Sequence, residues 1–232
     1  MPKSVKLFYF DFHGGRGETA RLALSIGGVP FGDERVKGAD WPPLKPSTPF
    51  GELPVLEVDG QRISQSNAIN RYVGQLTGLY PDDPWQAAQC DEVCCAVEAL
   101  NDALGPSFSL KGDEQKRERE RLLAGSIPRC LRGLDSLLAQ RGGEWFASSR
   151  LTIADLKVIE ITGMLSSGRL DHIPADIVER TAPAPAAHRS RVLHHPGAPA
   201  DSPPLAPLRT AAPAPAPPRL PYRPPRPARG DP

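Results

Sequence analysis

The sequence predicts an α/β N-terminal unit, an all-α unit after it, and a proline-rich tail. Three observations carry this reading. Over the first 76 residues, short β-branched or aromatic runs alternate with helical spacing of apolar positions. From about residue 87 only the helical period recurs. Of 28 prolines in 232 residues, 16 fall in residues 181–232, so the average composition describes two different materials.

The elements follow in order. Residues 4–10 are β-branched and aromatic, and Gly14, Gly15 and Gly17 end that run. Glu18 opens a helix whose apolar face holds Leu22, Ala23 and Ile26, and Gly27-Gly28 stops it. A short extended stretch at 33–36 leads to a proline-rich segment, 40–50, containing Trp41 and Lys45. Residues 53–58, an Asp59-Gly60 turn and residues 61–64 read as a hairpin. From Ser66, the positions Ile69, Tyr72, Val73 and Leu76 return to helical spacing. The order is βα, β, then ββα.

Residues 1–78 thus form one domain, and 79–86, rich in turn residues, a linker. Residues 87–197 form the helical domain, in which Val93, Val97, Leu100 and Leu104 make an apolar stripe with Asp91, Glu98 and Asp102 on another face. The charged run 111–121 opens a second helix that Pro128 is expected to interrupt. Thr152-Ile-Ala-Asp155 is a capping box flanked by Leu151 and Leu156, a folding device rather than a catalytic site. Residues 175–195 allow one more helix, weakened by Pro183 and Pro185, and 198–232 offer too little apolar surface for a core.

Composition bounds function. The net charge of +1 divides into −4 over residues 1–180 and +5 beyond, which argues against nucleic acid as the ligand of the folded part. The run from Val5 is broken by Lys6 and Asp11, and nothing approaches the ~18 apolar residues of a membrane span. A soluble cytoplasmic protein with no membrane partner is expected. Cys90, Cys94, Cys95 and Cys130 read as reduced thiols. Cys90 and Cys94 lie one helical turn apart, with no nearby histidines to complete a metal site, so no metal is expected.

Three pieces point to one ligand-binding edge: Tyr9 at a strand end, Leu53-Pro54 opening a hairpin strand, and Gln65-Ser66 opening a helix. A residue before proline is held extended, and a helix start presents free amides to an anion.

The blocks Lys6-Leu7-Phe8-Tyr9-Phe10, Arg16-Gly-Glu-Thr-Ala-Arg21, Ala39-Asp40-Trp41, Pro49-Phe50-Gly51-Glu52-Leu53-Pro54 and Gln65-Ser66-Asn-Ala-Ile69 occur in order and at near-constant spacing. Together they make the chain resemble the cytosolic glutathione transferases, and the sigma class most. The resemblance implies a thioredoxin-like N-terminal domain (βαβαββα), an all-helical C-terminal domain, a homodimer, and glutathione as co-substrate with a hydrophobic electrophile as its partner in the reaction. It implies that Tyr9 hydrogen-bonds the glutathione sulfur, that Leu53 pairs with the cysteinyl unit beside a cis Pro54, and that Trp41 and Lys45 hold the glycyl end. Gln65 and Ser66 would take the γ-glutamyl carboxylate, Asp102 the γ-glutamyl amine of the partner subunit's ligand, and Arg16 a place near the sulfur.

The chain also departs from the family pattern. It carries one residue more between Tyr9 and Glu18, absorbed at Gly14-Gly15, which bears on Arg16. Glu98, Asn101 and Asp102 stand where metal-sensitive prostaglandin-synthesising members have an acidic cluster, and Gly105-Pro-Ser-Phe108 does not match their pocket. The alternatives to a conjugating enzyme are a non-catalytic binding or structural relative and a glutathione-dependent isomerase or peroxidase. The Pro/Ala/Arg-rich tail replaces the expected helical terminus, with the composition that a GC-rich gene gives in a shifted frame; its Pro221-Tyr-Arg-Pro224 stretch also fits a PxxP pattern.

Overall fold

A computed structural model describes residues 1–193; the tail and the end of the helical domain expected from the sequence lie outside the described residues. The N-terminal domain runs β1 (Val5–Phe10), α1 (Glu18–Ile26), β2 (Gly32–Val36), α2 (Trp41–Leu44), β3 (Val55–Val58), β4 (Gln61–Ser64) and α3 (Ser66–Thr77). The sheet order is β2-β1-β3-β4, with β1 parallel to β2 and antiparallel to β3. This is the βαβαββα arrangement expected. Leu7 faces Leu56 across the β1–β3 ladder and both are fully buried beneath α1 and α3. Asp59 and Gly60 turn the β3–β4 hairpin with φ of 49° and 83°, which a glycine adopts without strain. The Asp59 carboxylate also accepts from the amides of Lys3 and Ser4 at 2.9 and 2.8 Å, tying down the chain start.

The second domain is helical: α4 (Pro84–Leu104), α5 (Gly112–Ala124), α6 (Ser126–Gln140), α7 (Ile153–Leu165), α8 (Ile177–Thr181) and α9 (Pro183–Leu193). The stripe of Val93, Val97, Leu100 and Leu104 is buried. The expected linker is shorter than 79–86, because α4 begins at Pro84: the Asp83 carboxylate accepts from the Gln86 amide at 2.9 Å, and proline suits the first helical position. The expected interruption at Pro128 falls instead at Gly125, between α5 and α6. Pro128 sits in the first turn of α6, where an amide has no intrahelical acceptor, so its missing N–H costs little. The single helix expected over 175–195 is two, and Pro183 begins the second.

Helix α7 is the axis of the domain, packed against α4, α9 and, across the domain boundary, α1. Its capping box forms, and Asp155 does more than cap. The fully buried carboxylate accepts from the Thr152 amide and hydroxyl, each at 2.7 Å, and from the Phe146 amide at 3.0 Å; His188 Nε2 of α9 lies 2.8 Å away. One side chain thus holds the start of α7, the preceding loop and α9. Asp155→Ala would strand those donors in the core and is expected to cost about 3 kcal/mol. Urea unfolding would check this, and a midpoint equal to wild type would contradict it.

Candidate active site

Tyr9 lies near the end of β1 with its side chain buried. The loop from β1 to α1 closes over it: a Cβ on Gly15 would stand 2.5 Å from the phenolic oxygen, and one on Gly17 2.5 Å from the ring. Only glycine fits both positions. The Arg16 amide between them donates to the Tyr9 oxygen at 2.9 Å. Burial, reinforced by the Glu160 carboxylate, pushes the phenol up to about 12, against the pull of the Arg16 amide. Tyr9 is therefore a neutral O–H at physiological pH. With an amide occupying one acceptor site, its hydrogen is available to a ligand.

Beside it lies a cavity of about 360 Å³. Arg16, Trp41, Leu53, Pro54, Gln65, Ser66 and Asp102 all line it, so residues from five separate segments converge as the sequence suggested. The Leu53–Pro54 bond is cis. Gln65 has φ 72° and ψ 114° and precedes the first residue of α3, turning the chain sharply into the helix whose N-terminus meets the cavity. Trp41 packs edge-on against Phe10, ring centres 5.5 Å apart. Lys45 is not among the lining residues; its alkyl chain lies near Gly51, which is. A second cavity of about 510 Å³ adjoins the first through Arg16 and Phe10 and is mainly apolar, with Tyr9, Phe12, Phe108, Met164 and Leu170 in its wall.

Three of the expected groups also pair with other side chains of the chain. The Arg16 guanidinium pairs with Glu98 and, at 2.6 Å, with Asp102 of its own chain, while its amide serves Tyr9. Asp102 is exposed and meets that arginine. The Ser66 hydroxyl donates to Glu98 at 2.8 Å, leaving its amide and the helix start to face the cavity.

Glu98 leads into a buried ionic cluster that the sequence did not reveal. Lys157 Nζ lies 2.8 Å from both Glu98 and Glu160, and Asn101 donates to Glu160 at 3.1 Å. Burial raises the Glu98 carboxyl, but Lys157 and Arg16 outweigh it and hold Glu98 down at about 2. Burial likewise disfavours the Lys157 cation, and the two glutamates reverse that, leaving its pKa raised. The only hint in the sequence is Lys157 and Glu160 three residues apart in an otherwise apolar helix. Among the described residues, no group of three His, Cys, Asp or Glu side chains could hold a metal ion, and the four cysteines are free.

A thioredoxin-like domain whose cis-proline and helix start line one cavity and whose strand-end tyrosine lines the adjoining one, joined to a helical domain that closes the other side, defines a glutathione-handling class of protein. The N-terminal domain of glutathione S-transferase matches residues 5–75, and its C-terminal domain residues 102–198. Glutathione S-transferase 1 of Ascaris suum is 40% identical over 164 residues, covering 69% of this chain and 79% of that one. The hematopoietic prostaglandin D synthase of Gallus gallus is 36% identical over 67% of this chain and 75% of its own. The structure of prostaglandin synthase D of Nilaparvata lugens superposes with a TM-score of 0.75 at 30% identity, covering 84% of this chain and 94% of that one. This chain belongs to the glutathione S-transferase family, and a glutathione transferase is what its sequence and fold define.

Two expectations follow from the geometry. Gly17→Ala keeps an allowed backbone but drives a methyl into the Tyr9 ring. It is expected to cost about 1 to 3 kcal/mol and to lower activity by displacing the phenol, as unfolding and turnover measured on the same preparation would show. Lys157→Met leaves two carboxylates without their shared cation and is expected to cost about 3 to 5 kcal/mol, with much of it recovered when Glu160→Leu is added. A single variant as stable as wild type in urea would contradict the cluster's role.

Proposed function

We propose that glutathione occupies the smaller cavity with its sulfur at Tyr9, that a small hydrophobic electrophile occupies the larger one, and that the enzyme joins them. The observation that carries this reading is the Tyr9 hydroxyl: buried, neutral, and held by the Arg16 amide in the wall of the apolar cavity, next to Phe10 and Arg16, which both cavities share. A hydrogen bond from it to the sulfur favours thiolate over thiol and lowers the thiol pKa, so the nucleophile is present near neutral pH. The sulfur lone pair forms the new bond to carbon. The electrons displaced from the electrophile leave with a halide or settle on a conjugated oxygen.

The remaining roles belong to the same proposal. Leu53 pairs its backbone with the cysteinyl unit beside cis Pro54, and Trp41 and Lys45 hold the glycyl carboxylate, for which an ammonium suits the charge. Gln65 and Ser66 receive the γ-glutamyl carboxylate at the helix start, where amides and dipole favour an anion. Arg16 stands near the sulfur, its charge balanced by Glu98 and Asp102. Asp102, exposed on α4, is assigned to the γ-glutamyl amine of the ligand in a partner subunit, which makes a homodimer part of the reading. Cytoplasmic residence is supported by four free cysteines, and no helix of the described residues is long and apolar enough to cross a membrane. A glutathione-dependent isomerase is the second reading, favoured by the relatives named hematopoietic prostaglandin D synthase. It uses the same thiolate, and product analysis separates the two, because isomerisation returns glutathione unconsumed.

The test is the pH dependence of aryl-halide conjugation. Burial holds the Tyr9 phenol up at about 12, so Tyr9 does not itself titrate over the range measured. Tyr9→Phe is expected to lower the rate at pH 6.5 by about tenfold or more and to move the rising limb about one unit or more toward alkaline pH. The glutathione KM should stay within about threefold. Equal rates and an unshifted profile would contradict the assignment.

A further inference from the structure

The two cavities differ in charge. The smaller carries Glu52, Glu98 and Asp102 in its lining, with Arg16 shared between the two. The larger, apolar one carries His13, Arg16 and Arg169 and no acidic side chain. Arg16 is committed to Glu98 and Asp102. Arg169 is not committed in this way. It follows Gly168 in the loop after α7, its amide donates to the Ser167 hydroxyl at 3.2 Å, and its guanidinium reaches across to the β1–α1 loop to donate to the His13 carbonyl at 3.3 Å. That long bond uses one of five donors, and among the described residues no carboxylate lies within 4.0 Å of it. Arg169 is exposed and lines the same cavity as Phe12, Phe108 and Leu170, so its free donors are open to an anion attached to an apolar body.

We propose that the electrophiles accepted here are apolar chains or rings bearing a carboxylate, with Arg169 as the specificity-determining residue that holds it. The proposal rests on the transferase reading and deepens it. Glutathione's own carboxylates do not fill the role, since the groups assigned to them line or flank the other cavity, on the far side of Arg16 and Phe10. For a conjugated carbonyl substrate, the thiolate sulfur forms a C–S bond to the β-carbon and the π pair moves to the carbonyl oxygen. The α-carbon then takes a proton from water, so nothing leaves and no redox partner is needed. The carboxylate takes no part in bond making; held by Arg169, it directs the chain so that the β-carbon faces the sulfur.

A matched pair tests this: a straight-chain α,β-unsaturated aldehyde with a terminal carboxylate, and its methyl ester. Wild type is expected to favour the acid by about fivefold in kcat/KM, mainly through KM, and to lose the preference in high salt. Arg169→Gln should abolish the preference, read as the acid-to-ester ratio within that variant, and Arg169→Lys should restore part of it. The ratio is the readout, so a variant damaged for both substrates alike retains the preference and overturns the proposal, as does a wild type indifferent to the pair. Calorimetric binding of decanoate against methyl decanoate, with S-methylglutathione present, makes the same comparison without turnover. If neither aldehyde is conjugated, aryl-halide turnover of the same preparation decides the transferase reading separately, and the decanoate ratio, with its loss or persistence in Arg169→Gln, decides the carboxylate seat.

Discussion

The chemistry proposed for this molecule depends on one hydroxyl kept neutral and aimed. Burial keeps it neutral, since taking a phenolate out of water is costly and nearby Glu160 adds to that cost. The Arg16 amide aims it by occupying an acceptor position. Both require the β1–α1 loop to lie directly on the tyrosine, and that closeness explains Gly15 and Gly17 more fully than turn propensity does. The amide of Arg16 meets the oxygen while its guanidinium turns to α4.

That turn joins the two domains. Arg16 from the first and Glu98, Asp102, Lys157 and Glu160 from the second form a continuous set of charges beneath and beside the cavities. Each member is out of place alone: a lysine and a glutamate fully buried in α7 would be among the most destabilising residues of the chain if either lost its partner. Together they fix the height of α4 against α7 and hold Ser66 at the start of α3. The polar cluster and Asp155, one turn earlier on the same helix, make α7 the element on which both the fold and the cavity wall rest.

Much of this was legible in the sequence where the signal is local. The strand alternation of β1, the Asp59-Gly60 hairpin, the stripe on α4 and the capping box at Thr152 each lie within a few residues and obey short-range rules. The convergence of Trp41, Leu53, Pro54, Gln65 and Ser66 was read from the ordered motifs and not from any one of them. Long-range pairing stayed hidden. Lys157 meets Glu98 across 59 residues of sequence, and the apolar cavity draws on the β1–α1 loop, α7 and the segments that follow α4 and α7. The α5–α6 break falls at Gly125 and not at Pro128 because proline is a strong signal only where an amide is needed, and in the first turn of α6 none is.

The most direct measurement is the ionisation of the glutathione thiol while bound, followed by the ultraviolet absorbance of the thiolate as pH is raised. The account predicts that the wild-type complex holds substantial thiolate at neutral pH, with an apparent pKa at least one unit below the roughly 8.5 of a free thiol, and that Tyr9→Phe returns it toward that value. A bound thiol that titrates like free glutathione in the wild type would contradict the account at its centre.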